Sequence, residues 1–148
     1  MTSNRILVVD DDPMVRQFVD LVLTQQGYAV STAAASETAL QVLGREAFNL
    51  VLLDIRMPGM TGLDVLRLMK ARASSPKILM MTGQRDPATI RRSIETGAAG
   101  YLAKPFTPQD LVKRVRAVLR GTETVRPRAE PPPPPPARPP SPEQLILD

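Results

Sequence analysis

The chain has 148 residues, a net charge of +4, and neither cysteine nor histidine. That length suits one domain with a real core rather than two of ordinary size, and the missing residue types exclude disulfides and any metal site built on thiolate or imidazole, so a metal has to be held by oxygen, which favours a hard cation such as Mg²⁺. No apolar run approaches a membrane span, and residues 1–5 (MTSNR) lead into a strand pattern rather than a signal peptide, so a soluble cytoplasmic protein without membrane contact is expected.

In chain order the pattern is five strand-then-helix units. Residues 5–9 (RILVV) read as the first strand, and Asp10, Asp11 and Asp12 follow it. Asp12 suits the N-cap and Pro13 the first turn of a helix that runs to about Gln26 and stops at Gly27. The second strand is short, around 28–32, and the second helix runs from Ser36 to about Leu43 with Gly44 as its stop. Leu50 to Leu53 form an unbroken apolar run ending on Asp54, as expected of a strand buried on both faces. A tight turn at Met57-Pro58-Gly59 and a Gly62 that frees the backbone precede a third helix over about 62–72. Residues 77–82 are the fourth strand, and Asp86-Pro87 opens a fourth helix that ends at Gly97. Tyr101 to Ala103 form the last strand; Thr107-Pro108 starts a fifth helix whose apolar set Leu111, Val112, Val115, Val118 and Leu119 has helical spacing.

Apolar strands alternating with amphipathic helices predict an α/β fold: a doubly wound, five-stranded parallel sheet covered on both sides, a flavodoxin-like (βα)5 domain with strand order 2-1-3-4-5. In such folds ligands lie at the carboxyl ends of the strands. Those ends carry Asp10 and Asp11, Asp54, Thr82, and Lys104-Pro105. Crowded carboxylates raise each other's pKa unless a cation joins them, and an oxygen-only cluster suits Mg²⁺. A carboxylate nucleophile, a divalent cation, a lysine and a hydroxyl together make a site for accepting a phosphoryl group. Singly, Asp12 would be a helix cap, Thr82 a strand threonine, Lys104 a surface lysine and Tyr101 sheet packing. Their meeting at one sheet edge is what the ordinary readings do not supply.

The motifs VVDDD at 8–12, LLDIRMPGMTGLD at 52–64, MMTG at 80–83 and GYLAKPF at 100–106 resemble the receiver domain of bacterial two-component response regulators. The resemblance covers roughly residues 4–120. It implies Asp54 as phosphoacceptor, an acidic Mg²⁺ pocket of Asp10 and Asp11 together with Asp54 and the backbone carbonyl of Arg56, and Thr82 and Lys104 on the phosphoryl oxygens. It also implies a cis peptide at Lys104-Pro105 and a Thr82–Tyr101 switch. Gly83 stands where the family often has alanine, and Arg56 and Gln84 occupy the two variable positions flanking phosphoryl access.

The implied partner is a sensor histidine kinase or a histidine phosphotransfer protein, docking on Val15, Phe18, Pro105 and Phe106. A homodimer or downstream protein would use the face of helix four, strand five and helix five, or the tail. Arg91, Arg92, Lys113, Arg114 and Arg116 read as a basic face on helices four and five. Because the basic residues are scattered singly, charge argues against direct DNA binding. The implied protein is not an enzyme but a phosphoacceptor that assists its own phosphorylation and dephosphorylation.

Residues 1–120 are expected to form the receiver domain and 121–148 a proline-rich, disordered tail, making this a stand-alone receiver. Ser141-Pro142-Glu143-Gln144 has the form of a capping box before Leu145-Ile146-Leu147, a turn that could become ordered only against a partner or the domain itself. Three other readings stand beside this one. A haloacid-dehalogenase-like phosphatase would use Asp10 and Asp12 but needs a cap and a distal acidic pair. A flavin or nucleotide module needs a phosphate loop where three aspartates stand. A non-phosphorylated receiver-like scaffold would keep the fold alone.

Overall fold

The structure is a computed structural model that describes residues 4–72, 76–83 and 87–121. Asp86, Gln84 and the tail from residue 122 onward lie outside the described residues.

Leu50–Asp54 is buried along its whole length, which fixes it as the centre of the sheet (β3). On one side it pairs with β1 (Arg5–Val9), which pairs with the edge strand β2 (Ala29–Ala33); on the other come β4 (Lys77–Thr82) and β5 (Gly100–Ala103). All pairings are parallel and the order is β2-β1-β3-β4-β5, as expected.

The side-chain period of two divides the core into two layers. Leu7, Val9, Val51, Leu53, Ile78 and Met80 pack under α2 (Ser36–Arg45), α3 (Gly62–Lys70) and α4 (Pro87–Thr96). Ile6, Val8, Leu50, Leu52, Leu79 and Met81 pack under α1 (Pro13–Gln25) and α5 (Pro108–Arg120). Aliphatic residues buried on both faces are what keep these strands in one register, because a slip by one residue would exchange the two layers.

Several boundaries differ from expectation, and β5 starts one residue early, at Gly100. β2 starts at Ala29, because the Tyr28 N–H closes the end of α1 on the Leu23 carbonyl at 3.2 Å. Gly44 does not stop α2; the helix continues to Arg45 and ends when Glu46 turns extended. α3 ends at Lys70, with Ala71 as its cap.

Gly62 is required for a different reason from the one its type suggests. A Cβ there would lie 2.3 Å from the Asp54 carbonyl oxygen and 2.8 Å from the Ile55 Cα, both backbone. The start of α3 therefore packs directly on the strand end that carries Asp54, and the Gly62 N–H bonds the Ile55 carbonyl at 2.9 Å.

Candidate functional site

The sheet register assembles the site. Val9 pairs with Leu53, so Asp10 and Asp54 extend adjacent strands at the same level; Asp54 pairs with Met81, and Thr82 with Ala103. Beyond β5 the Lys104 N–H continues the ladder onto the Thr82 carbonyl at 2.7 Å, and Lys104-Pro105 is a cis peptide, as expected.

Asp10 is fully buried and Asp54 nearly so, whereas Asp11 is exposed. One carboxylate oxygen from each of Asp10, Asp11 and Asp54 lies within 4.8 Å of the others. Lys104 is the counter-charge: its Nζ is 2.8 Å from Asp10 Oδ2 and 3.4 Å from Asp54 Oδ1. The remaining Asp10 oxygen accepts the Asp12 N–H at 2.9 Å, and Asp54 Oδ1 also accepts the Arg56 N–H at 3.3 Å.

Burial, then repulsion from Asp10, pushes the Asp54 carboxyl up from 3.8 to about 6, against the lowering influence of Lys104 and of the Arg56 N–H. Burial alone would pull Lys104 down, but its hydrogen bond to Asp10 and the charges of Asp54 and Asp10 outweigh this and raise it. The site thus holds a firmly protonated cation facing a carboxylate with a destabilised charge. A further cation among the three acids would relieve that carboxylate, and an all-oxygen donor set fits a hard divalent ion.

Thr82 is buried at the end of β4, and Tyr101 is half-buried against the layer containing Ile90 and Ile94. Asp12 caps α1, its side chain accepting the Met14 N–H at 2.9 Å. Val15, Phe18, Pro105 and Phe106 line one cavity of about 530 Å³ beside Lys104, with the Phe18 and Phe106 rings 5.9 Å apart. The apolar residues of α1 divide between core and surface. Val15 and Phe18 partly join the core, while Met14 and Leu21 are the exposed pair, at 73% and 61%. The expected basic face is also divided: Lys113 and Arg116 turn towards α1, where the Arg116 Nη2 reaches Gln26 Oε1 at 2.9 Å, while Arg91 and Arg92 lie exposed on α4.

Two supporting residues carry no sequence signal. Arg16 Nη1 donates to the Asp10 carbonyl at 2.8 Å, and the buried Ser36 Oγ donates to the Met60 carbonyl at 2.8 Å, tying the start of α2 to the loop after Asp54. Each partner is chosen by the tertiary fold rather than by local spacing.

The comparisons agree with this geometry. The response regulator receiver domain family matches residues 6–116. "DNA-binding response regulator MtrA" of Mycolicibacterium smegmatis is 41% identical over 119 residues, 80% of this chain and 52% of that protein. The chain thus spans about half the length of the curated relatives it matches. The chemotaxis response regulator CheY4 of Vibrio cholerae superposes with a TM-score of 0.75 at 34% identity, covering 79% of this chain and 99% of that one. A response regulator structure from Chloroflexus aurantiacus gives 0.77 at 36% identity, covering 80% and 99%.

Proposed function

The chain belongs to the response regulator receiver domain family, and from that premise we propose that Asp54 accepts a phosphoryl group from a phosphohistidine of a sensor kinase or a histidine phosphotransfer protein. One observation carries the reading: a buried carboxylate at the carboxyl edge of the sheet, with Lys104 at 3.4 Å and two further acids whose oxygens lie within 4.8 Å.

In the transfer, an Oδ atom of Asp54 attacks phosphorus, the P–O bond forms as the P–N bond breaks, and the departing imidazole keeps the N–P electron pair. Lys104, held by Asp10 and already in contact with Asp54, lies within reach of the oxygens of a phosphoryl group on Asp54 and neutralises part of their charge. The Thr82 hydroxyl supplies a donor to another of these oxygens. Asp10, Asp11, Asp54 and the backbone carbonyl of Arg56 would hold Mg²⁺, which when bound neutralises charge on the transferring oxygens. Moving Thr82 inward frees space for Tyr101, so phosphorylation shifts a pre-existing equilibrium of the α4, β5 and α5 face. That face then recruits a downstream protein or a second copy.

The phosphoryl group is received and lost stoichiometrically, so the protein acts as a signalling component that assists its own phosphorylation and dephosphorylation rather than as an enzyme on a free substrate. The partner's docking surface is the cavity of Val15, Phe18, Pro105 and Phe106. The receiver unit is residues 1–120 with 121–148 as a tail, and the setting is cytoplasmic; among the described residues no helix is long and apolar enough to cross a membrane. The name of the MtrA relatives includes DNA binding, in tension with the reading of the charge pattern. A mobility shift on duplex DNA before and after phosphorylation tests that second reading.

The principal test is intact mass after incubation with Mg²⁺ and acetyl phosphate. A phosphoryl adduct on the wild type, absent from Asp54→Ala and from samples with EDTA, is expected. An adduct of equal yield on Asp54→Ala would refute the assignment.

A further inference from the structure

α1 and α5 lie side by side on one face of the sheet and leave between them a groove of about 800 Å³. Its floor is Phe18, Leu21, Val22 and Val112, and Leu21 is 61% exposed. Its α5 border carries Lys113, Arg116 and Arg120. Among the described residues none of these three makes an ion pair, and no acid lines the groove. Phe18 also lines the neighbouring cavity of Val15 and Phe106. An apolar track bordered by unpaired cations calls for an occupant that is aliphatic and acidic.

The chain contains such a segment. Residues 143–148, Glu-Gln-Leu-Ile-Leu-Asp, set three aliphatic residues between two acids and include no base. The segment is tethered to the groove's own wall, because Arg120, the last residue of α5, lines it. Reach is sufficient. Ten residues at the polyproline II rise, the number in 131–140 with its eight prolines, Ala137 and Arg138, would reach about 31 Å, against about 20 Å for the length of α5. A nine-residue linker, the length of residues 122–130 with their single proline, would span roughly 15–18 Å, enough to reverse direction. A chain that leaves the end of α5 and doubles back therefore carries residues 143–148 along the whole groove to Phe18. Tethering gives an effective concentration on the order of millimolar, so a contact too weak to form between separate molecules is populated within one.

We infer that residues 143–148 dock in the α1–α5 groove of their own chain, with Leu145, Ile146 and Leu147 on the Phe18–Leu21–Val112 floor and Glu143 and Asp148 against Lys113, Arg116 and Arg120. Because Phe18 also belongs to the surface assigned above to the phosphohistidine partner, the docked segment and that partner compete. This consequence rests on the phosphoacceptor reading; the docking does not.

The test compares ¹⁵N-resolved NMR spectra of the full chain, metal-free and without phosphodonor, for wild type and a variant with Leu145→Asp, Ile146→Asp and Leu147→Asp. The expected result is a set of amide shift differences confined to the groove residues of α1 and α5, independent of protein concentration and diminished by high salt. Leu21→Glu, at an exposed position that the fold does not depend on, is expected to shift the amides of 143–148 in return. Groove signals that superimpose across these proteins would overturn the inference. Differences that grow with protein concentration would also overturn it, assigning the groove to a second copy. With no phosphodonor in the sample, either failure leaves the assignment of Asp54 intact.

Discussion

At the level of single residues, the site depends on one lysine balancing two buried carboxylates. Lys104 bonds a fully buried Asp10, so Lys104→Met leaves a buried anion without its partner. Such a loss costs about 3 kcal/mol, reduced where water enters beside the part-exposed lysine. The urea midpoint of Lys104→Met is expected to fall accordingly, and a second change, Asp10→Asn, should restore part of it. Asp54 gives the opposite sign. Its carboxyl rises from 3.8 to about 6 in the folded chain, so the native state holds this proton more tightly than the unfolded state does. The resulting stabilisation is complete below pH 3.8 and is lost as pH rises through about 6. Above that range the ionised group is a burden of up to about 3 kcal/mol. In EDTA, Asp54→Asn should therefore be more stable than wild type at pH 7–8, with the difference shrinking as the pH is lowered towards 4. Urea unfolding across that range checks it; equal stabilities at every pH would contradict the burial account. The acids and Lys104 were legible in the sequence because each ends an apolar run. Arg16 and Ser36 were not, because their partners, the Asp10 and Met60 carbonyls, are backbone atoms that any residue type presents.

At the level of elements, the strands were the easiest part to read and the helix ends the hardest. β3 and β4 bury almost every side chain, so their apolar runs have no competing interpretation. β2, an edge strand with partly exposed residues, gives a weaker pattern, and its start differs by one residue. Glycine was the least readable type. Gly44 lies within α2 and Gly27 ends α1 with a φ of 94°, yet the two look alike in sequence. Gly62 looks like a flexible turn residue and is instead a steric requirement. Gly62→Ala must push backbone away from Asp54 and is expected to cost about 2–4 kcal/mol. Gly83→Ala meets nothing within 4 Å and should stay within about 0.5 kcal/mol of wild type. Parallel thermal melts distinguish the two. Thr61 caps α3 through a reciprocal capping box with Asp64, so Thr61→Ala should cost about 1 kcal/mol, read in the same melts.

At the level of the whole molecule, the two helical layers have different tasks. The α1–α5 layer carries the cavity of Phe18 and Phe106 and the groove behind it; the α2–α4 layer holds Tyr101 and the face that a phosphoryl signal would alter. The sheet edge between them joins both to the acidic cluster. A ligand that binds only the folded state stabilises it by mass action, so Mg²⁺ at one hundred times its dissociation constant should add about 2.7 kcal/mol. That increment should vanish when Asp10 and Asp11 are both changed to asparagine, which a melt with and without Mg²⁺ measures. The order of five strands and the convergence of four strand ends were readable because parallel right-handed crossovers leave few alternatives. The division of the basic residues between α4 and the α1–α5 groove was not, since it depends on how α5 is rotated about its axis.

The account turns on which carboxylate receives the phosphoryl group. The most direct measurement is peptide mass mapping after incubation with Mg²⁺ and acetyl phosphate followed by borohydride, which reduces an acyl phosphate to an alcohol and so marks the acceptor as homoserine. Homoserine at position 54 alone is the expected result. Homoserine at position 10 or 11, with residue 54 remaining aspartate, would contradict it.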